Sequence, residues 1–161
     1  MESLGANGVC LKWPNDVQLR SGDEFAKLAG ILIELSCDRR GSQAIIGIGL
    51  NLFPPSCELP QPAAGLSQSS PNHFDRHDVL AAILGQLAEV LDTFTVDRFF
   101  GLKMKWQRYH AWQDQPVQVL GEGAEPLQGC CLGVDDDGSL LLATERGIER
   151  IFSGDVSLRR A

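Results

Sequence analysis

The order of apolar and polar positions predicts strands, then helices, then strands again. Residues 9–13 and 17–19 have the apolar character of short strands. Nearly continuous aliphatic runs at 28–35 and 44–52 predict two further strands, paired with each other and buried on at least one face. The polar stretch 20–26 is predicted to connect the second strand to the third.

Helical periodicity begins after a stretch rich in Pro, Ser and Gln at 53–72, which predicts a long loop. Asp75 is suited to cap a helix, because its carboxylate can accept hydrogen bonds from the first turn. Apolar residues then recur three and four positions apart from Val79 to Phe94, as on one face of a helix. A second helix is predicted over 97–112.

The composition changes again at 113–116, beyond which the apolar runs become short and turns frequent. The segment Asp135-Asp136-Asp137-Gly138 is a strong hairpin signal. Several short strands in so few residues predict a small barrel, and hence two domains, 1–112 and 113–161. The predicted strands of the second domain are 117–120, 127–134, 139–144, 148–152 and 156–158.

Composition narrows the class of protein. A formal charge of −7 over 161 residues argues against a DNA-binding protein, which normally carries a basic face. The sequence contains no run of 18 apolar residues, so no membrane span is predicted. The five cysteines are odd in number and lack Cys-x-x-Cys spacing, which favours a reducing cytoplasm over a disulfide framework or a zinc site.

Two glycines give the fourth predicted strand an unusual face. Because strand side chains alternate, Gly47, Gly49 and Asn51 share one side and Ile48 lies on the other. The first side is then a bare ledge that ends in an amide. Glycine weakens a strand interior, so a ligand or another protein element is expected to approach this backbone closely. The spacing alone leaves both options open.

Four polar residues nearby have both a structural and a functional interpretation. Asn15 and Asp16 follow Pro14 and can simply form a turn, or can contact a flat base and a hard cation. Lys27 can be a solvated strand-end lysine or a fixed charge on a phosphoryl oxygen, and Lys12 has the same two options. Simple alternation places Lys27 and Gly30 on opposite faces, so both reach one ligand only if the strand is twisted or bulged there.

Three segments together resemble a known family. The sequences Lys-Trp-Pro-Asn-Asp at 12–16, Lys-Leu-Ala-Gly-Ile-Leu-Ile-Glu at 27–34 and Gly-Ile-Gly-Leu-Asn at 47–51 closely resemble the central motifs of biotin–protein ligases. The run 154–159 resembles the last strand of that family's SH3-like domain. The resemblance implies an α+β fold: a partial mixed β-sheet with two helices, related to class II aminoacyl-tRNA synthetases, followed by a small SH3-like β-barrel.

The resemblance also implies an activity. The family activates biotin with ATP to biotinyl-5′-AMP and transfers the biotinyl group to a lysine of a biotin carboxyl carrier protein. It therefore implies ATP, biotin and magnesium as cofactors and substrates. The charge, the lack of a long apolar run and the cysteines add the expectation of a cytoplasmic protein that binds no DNA and no membrane. Homodimer formation is a further option.

Residue roles follow from the same resemblance. Lys27 matches the catalytic lysine that holds the biotin carboxylate and the α-phosphate as they join. Asp16 matches the residue associated with magnesium and phosphate. Asn15 and Asn51 match amides that approach the adenine. The other positions implied to bind the nucleotide are Gly47, Gly49, Gly30, Leu32, Lys12 and Arg159.

The sequence departs from the family pattern in two places. Asp16 and Lys27 are 11 positions apart, several more than the family spacing, and we expect the extra residues to lengthen a hairpin loop. The Gly-Arg-Gly-Arg-Arg-Gly-type loop of the family's N-terminal half does not occur here. We therefore expect a chain incomplete for catalysis. Two alternatives are a non-catalytic fragment that acts as a binding or dimerisation partner, and a relative of lipoate ligases.

Overall fold

The described part of the chain folds as strands, two helices and further strands, in the order that the apolar pattern predicts. The structure is a computed structural model, and it describes residues 2–39, 41–57, 59–121, 125–154 and 156–160. Arg40, between the aliphatic runs 28–35 and 44–52, and Asp155, in the run 154–159, lie outside the described residues. The first elements are β1 Val9–Lys12, β2 Asp16–Ser21, β3 Glu24–Asp38, β4 Gly41–Leu50, α1 Arg76–Asp97 and α2 Phe100–Tyr109. The later strands are β5 Pro116–Gly121, β6 Leu127–Val134, β7 Leu140–Thr144, β8 Gly147–Ile151 and β9 Val156–Arg160.

Contacts divide the chain into two compact units. The first unit combines Met1–Cys10 with Asn15–Val79, and the second combines Leu11–Pro14 with Leu80–Ala161. The division into domains 1–112 and 113–161 stays a prediction.

The sheet of the first unit has the order β1-β2-β3-β4. The β2–β3 and β3–β4 pairs are antiparallel, where a mixed sheet was expected. Parallel geometry occurs in this unit as an isolated bridge between Lys27 and Ala63. The α+β class is confirmed, because two helices accompany two sheets of mainly antiparallel strands.

The polar stretch 20–26 forms strand rather than loop. Ser21 pairs with Glu24, so the turn consists of Gly22 and Asp23. Gly22 has φ +61°, a left-handed conformation that glycine adopts without steric cost. The extra residues between Asp16 and Lys27 therefore lengthen the β2–β3 ladder, and the expectation of a longer loop was wrong.

The outer part of the β3–β4 hairpin exposes apolar residues on both faces. Leu32 is 62% exposed and Ile45 69%, while Ile33 and Leu35, on the opposite face, are 55% and 73% exposed. Burial on at least one face was predicted for these runs, and it holds only near their base, where Leu28 is fully buried. Exposed apolar surface of this kind is typical of association sites. The homodimer stays a prediction.

The second unit contains a five-stranded antiparallel sheet with the order β8-β7-β6-β5-β9. Its core is aliphatic and almost fully inaccessible to solvent, at Val117, Val134, Leu140, Leu142 and Leu158. The described ladders leave β8 and β9 at the two ends of this order. Closure of the sheet into an SH3-like barrel therefore stays a prediction.

Helix α1 is long and apolar enough to cross a membrane, judged by length and composition alone. Its most apolar window has a mean hydropathy of 1.6, and 6% of that window is buried. The helix contains no long unbroken apolar run, because a few polar residues interrupt it. One such helix is weak evidence, since helices of soluble proteins meet the same criterion. The absence of a membrane partner stays a prediction.

His110 introduces a titratable group into the core of the second unit. Its ring is 4.7 Å from that of Trp106, and Cys131 Sγ lies 3.9 Å from Nδ1. Only 7% of the residue is exposed, and burial lowers its pKa from 6.5 to about 4. The folded chain therefore favours the neutral imidazole.

Acidification should destabilise the fold through His110. The pKa is lower in the folded than in the unfolded chain, so this stability is present above pH 6.5 and is lost as the pH falls towards 4. A shift of this size corresponds to about 3 kcal/mol. Urea unfolding at pH 7.5 and pH 4.5 should show a smaller pH dependence for His110→Asn than for the unchanged chain. The control His73→Gln changes an exposed histidine. An equal pH dependence in His110→Asn would contradict the assignment.

Candidate functional site

A bulge in β3 brings the predicted site residues onto one face. Asp16 pairs with Gly30 and Val17 with Ala29, but Gln18 pairs with Lys27, so Leu28 has no partner in the β2 ladder. An extra residue of this kind reverses side-chain alternation locally. Lys27 and Gly30 consequently lie on the same side: a Cβ placed on Gly30 would be 3.4 Å from Lys27 Nζ and 3.9 Å from Asp16 Oδ1. From the sequence, Lys27 and Gly30 could reach one ligand only if the strand was twisted or bulged between them. The structure contains that bulge.

Lys27 and Asp16 form an ion pair at this face. Lys27 Nζ lies 2.6 Å from Asp16 Oδ1, and the two side chains are 34% and 12% exposed. The carboxylate therefore fixes the ammonium group on this face of the sheet, while part of the lysine stays accessible to a solute. An ammonium held in this way can neutralise a phosphate or carboxylate oxygen.

The glycine ledge lies beside this pair. Gly49 pairs with Gly30, and Gly47 pairs with Leu32. A Cβ on Gly47 would be 3.7 Å from the Leu32 carbonyl oxygen, and one on Gly49 would be 4.0 Å from that of Gly30, which are ordinary contacts. Within the described residues, no protein element packs closely on the ledge. This geometry favours a ligand as the group that approaches the backbone.

Lys27 and the ledge border one cleft of about 460 Å³. It is shallow and open, consistent with the high exposure of Leu32. The residues that line it are Asn15, Lys27, Gly30, Ile31, Leu32, Gly47, Ile48 and Gly49.

The two predicted amides take different positions. Asn15 is exposed, lines the cleft, and accepts a hydrogen bond from Ile31 N at its main-chain oxygen. Asn51 follows β4, and its side-chain Nδ2 donates to the Ala64 carbonyl oxygen at 3.2 Å. The amide of Asn51 therefore has a structural partner, and its contact with adenine stays a prediction.

Lys12 and Arg159 belong to the second unit. Lys12 is 4% exposed, and its Nζ lies 5.7 Å from the centre of the Trp112 ring. Arg159 is an exposed residue of β9 that pairs with Gln118 of β5. Their roles at the nucleotide stay predictions.

The metal prediction rests on Asp16 alone. Among the described residues, no cluster of three or more His, Cys, Asp or Glu side chains could hold a metal ion. A magnesium ion at Asp16 would share its carboxylate with the Lys27 ammonium and would need further ligands from a phosphate. Asp16 fits such an ion only as one ligand among several.

A larger cleft of about 760 Å³ lies elsewhere in the first unit. Arg20, Ser21, Glu24 and Phe25 line it, but none of the predicted site residues does. Size alone does not identify a site, and the smaller cleft has the Lys27 ammonium group, which Asp16 holds, beside bare backbone.

The sequence did not identify the segment 62–64 as part of the site. Lys27 N donates to the Pro62 carbonyl oxygen, and Ala64 N donates to the Lys27 carbonyl oxygen. The residues of this segment follow no periodic pattern. The only sequence feature that indicated a function was the length of the loop at 53–72, because long loops are often functional.

Comparisons with known proteins show what the chain is similar to. The family described as "Biotin protein ligase C terminal domain" matches residues 114–159. The "Bifunctional ligase/repressor BirA" of Bacillus spizizenii is 34% identical over 92% of this chain and 46% of its own length. The chain spans about half the length of the curated relatives it matches.

The chain is also similar to solved structures of biotin protein ligases. A biotin protein ligase from Aquifex aeolicus has a TM-score of 0.82 and 32% identity, and the match covers 99% of this chain and 68% of that one. The same organism's enzyme in complex with biotin and ATP has a TM-score of 0.77 and 34% identity, over 95% of this chain and 62% of that one.

Proposed function

Because the chain belongs to the biotin protein ligase family, we propose that its cleft over β3 and β4 holds an adenylate during ATP-dependent biotin ligation. In this reaction biotin is activated as biotinyl-5′-AMP, and the biotinyl group passes to a lysine of a biotin carboxyl carrier protein. One observation carries the proposal: Lys27 lies on the same face as Gly30 and beside the open ledge of Gly47 and Gly49.

Lys27 is proposed as the catalytic residue. Joining the biotin carboxylate to the α-phosphate brings two anions together, and a fixed ammonium group lowers the cost of that approach. Asp16 holds the ammonium in place through the 2.6 Å ion pair before the substrates arrive. Lys27 then contacts the oxygens where charge accumulates in the transition state.

The bare backbone positions the ligand. Gly47 and Gly49 allow it to lie directly on β4, and Gly30 leaves room beside the lysine. Leu32 provides an apolar wall. The amides of Asn15 and Asn51 are proposed to contact the adenine, and Lys12 and Arg159 to provide further positive charge to the nucleotide.

Magnesium is proposed to neutralise phosphate charge when it is bound. Asp16 would supply one carboxylate, and the phosphates of ATP would supply further oxygen ligands. This partial set of protein ligands is typical of magnesium sites that form only with the nucleotide.

Ligand selectivity tests the proposal. Thermal shift and calorimetry should show tighter binding of a non-hydrolysable biotinyl-adenylate analogue than of the lipoyl-adenylate analogue. Equal or tighter lipoyl binding would favour a lipoate-ligase relative. With biotin, MgATP and an acceptor carrier domain, we expect little transfer by this chain alone, because an open cleft admits water to the activated intermediate. Efficient transfer would show that the described cleft suffices for catalysis.

A further inference from the structure

The main chain of Lys27 is held from both sides. On one side Lys27 pairs with Gln18 of β2. On the other side β4 ends opposite Ala29 and no longer reaches the lysine. The segment 62–64 takes that place: Lys27 N donates to the Pro62 oxygen at 2.8 Å, and Ala64 N donates to the Lys27 oxygen at 2.9 Å.

This position coincides with the bulge. A bulged residue interrupts the ladder, so the adjacent residues depend on other partners for a fixed conformation. Leu28, the bulged residue, accepts a hydrogen bond from Asn51 N at 3.0 Å. The orientation of Lys27 therefore depends on the bulge and on the returning segment 62–64 together.

The returning segment is itself fixed to the end of β4. Asn51 Nδ2 donates to the Ala64 oxygen at 3.2 Å, and Leu66 N donates to the Asn51 oxygen at 2.8 Å. Leu66 is fully buried. The segment is thus a tightly bonded part of the first unit, although it lies within a long connection.

Gly65 allows the main chain of the returning segment to pass close to the main chain of Phe53 and Pro54. A Cβ at residue 65 would overlap main-chain atoms of Phe53 and Pro54. Its φ of −113° is accessible to any residue, so a side chain here is excluded by contact alone. Main-chain atoms cannot rotate aside, so any side chain would push 64–66 away from 53–54.

We infer that Gly65 is a positioning residue for Lys27: its missing side chain lets the segment 62–64 bond to the lysine main chain and so fixes the ammonium group beside the ledge. The inference rests on the proposed function, since it assigns Lys27 to the adenylate. A displacement of about 1 Å at a reacting group can cost about 100-fold in rate, so a small shift of this segment matters.

The test compares Gly65→Ala and Gly65→Val with Gly85→Ala. Gly85 lies in α1 with no atom within 4 Å of a Cβ placed on it, so the control makes the same chemical change in open space. Amide hydrogen exchange by NMR reports whether Lys27 N–H and Ala64 N–H stay protected. Calorimetry with the non-hydrolysable biotinyl-adenylate analogue reports the effect on the site.

Gly65→Ala should accelerate exchange at Lys27 and Ala64 by about tenfold and weaken analogue binding by about tenfold, with a larger effect in Gly65→Val. Amides of the β3–β4 ladder, in the same unit as Gly65, should keep their protection, which a general loss of stability of that unit would not allow. Gly85→Ala should change neither measurement. Unchanged exchange at Lys27, or faster exchange with unchanged affinity, would overturn the inference.

Two further outcomes are decisive. If Gly65→Ala does not fold, exchange is measured in Asn51→Ala, which removes the side-chain bond to the Ala64 oxygen. Affinity is not compared in this variant because the Asn51 amide is also proposed to contact the adenine, and unchanged exchange at Ala64 and Lys27 would overturn the inference. If the unchanged chain does not bind the analogue, the proposed function fails and the inference falls with it. Binding by the unchanged chain with equal affinity in a folded Gly65→Ala overturns the inference alone.

Discussion

Replacing Lys27 with glutamine is expected to weaken binding of the biotinyl-adenylate analogue by about 100-fold. A hydrogen bond to a charged group contributes about 1.5–3 kcal/mol when its partner is desolvated. The substitution also leaves the Asp16 carboxylate facing the phosphate without the ammonium that now lies 2.6 Å from it. The lost attraction between Lys27 and the phosphate and the added repulsion between Asp16 and the phosphate both lower the affinity. Isothermal titration calorimetry measures the affinity directly.

Lys103→Gln is the matched control for this experiment. Lys103 forms a similar pair with Asp136, at 2.7 Å, in the second unit. Its replacement removes the same charge and should leave the affinity within about twofold, as expected for an exposed ion pair. Equal losses in the two variants would indicate a general effect of charge and would contradict a specific role for Lys27.

Replacing Gly49 with valine is expected to weaken ligand binding strongly while the fold stays intact. Valine favours a strand conformation more than glycine does, and the nearest atom to a Cβ at this position is 4.0 Å away. The melting temperature should therefore stay the same or rise. The added methyl groups would occupy the space above β4, so the affinity for the analogue should fall by roughly tenfold or more.

Gly129→Ala is the comparison variant, because its added side chain would meet protein atoms rather than open space. Gly129 is also a strand glycine, but a Cβ there would lie 2.5 Å from the Ala143 oxygen in the β6–β7 sheet. We expect this variant to lose stability, because two paired strands must separate to admit the methyl group. If Gly49→Val instead lowered the melting temperature as much as Gly129→Ala, protein packing rather than a ligand would explain the ledge.

The regular elements of this fold could be predicted from the sequence because they repeat. The stripe from Val79 to Phe94 lies within α1, and the run at 127–134 coincides with β6. The site was predicted less directly. Alternation alone separates Lys27 from Gly30, and only the bulge at Leu28, which pairing with β2 creates, reunites them.

The remaining features depend on contacts between distant segments. No sequence pattern links Ala64 to Lys27, yet the main-chain N–H of Ala64 donates a hydrogen bond to the Lys27 carbonyl oxygen. The polar residues from Arg20 to Glu24 suggested a loop, but a tight turn at Gly22 lets them pair as strand. The exposure of Leu35 could not be predicted either. An aliphatic run shows that its side chains favour burial, but it does not show whether another element packs against them.

The bulge at Leu28 determines which changes in chain length this protein can tolerate during evolution. At the Gly22 turn, one residue inserted into each strand adds a rung at the far end of the hairpin and leaves Asp16, Lys27 and Gly30 in phase. A deletion at Leu28 would leave Lys27 and Gly30 on one face by simple alternation, but it would remove a fully buried side chain and the oxygen that accepts a hydrogen bond from Asn51 N. Homologous chains should therefore vary in length at the hairpin tip and keep the spacing from Lys27 to Gly30 constant.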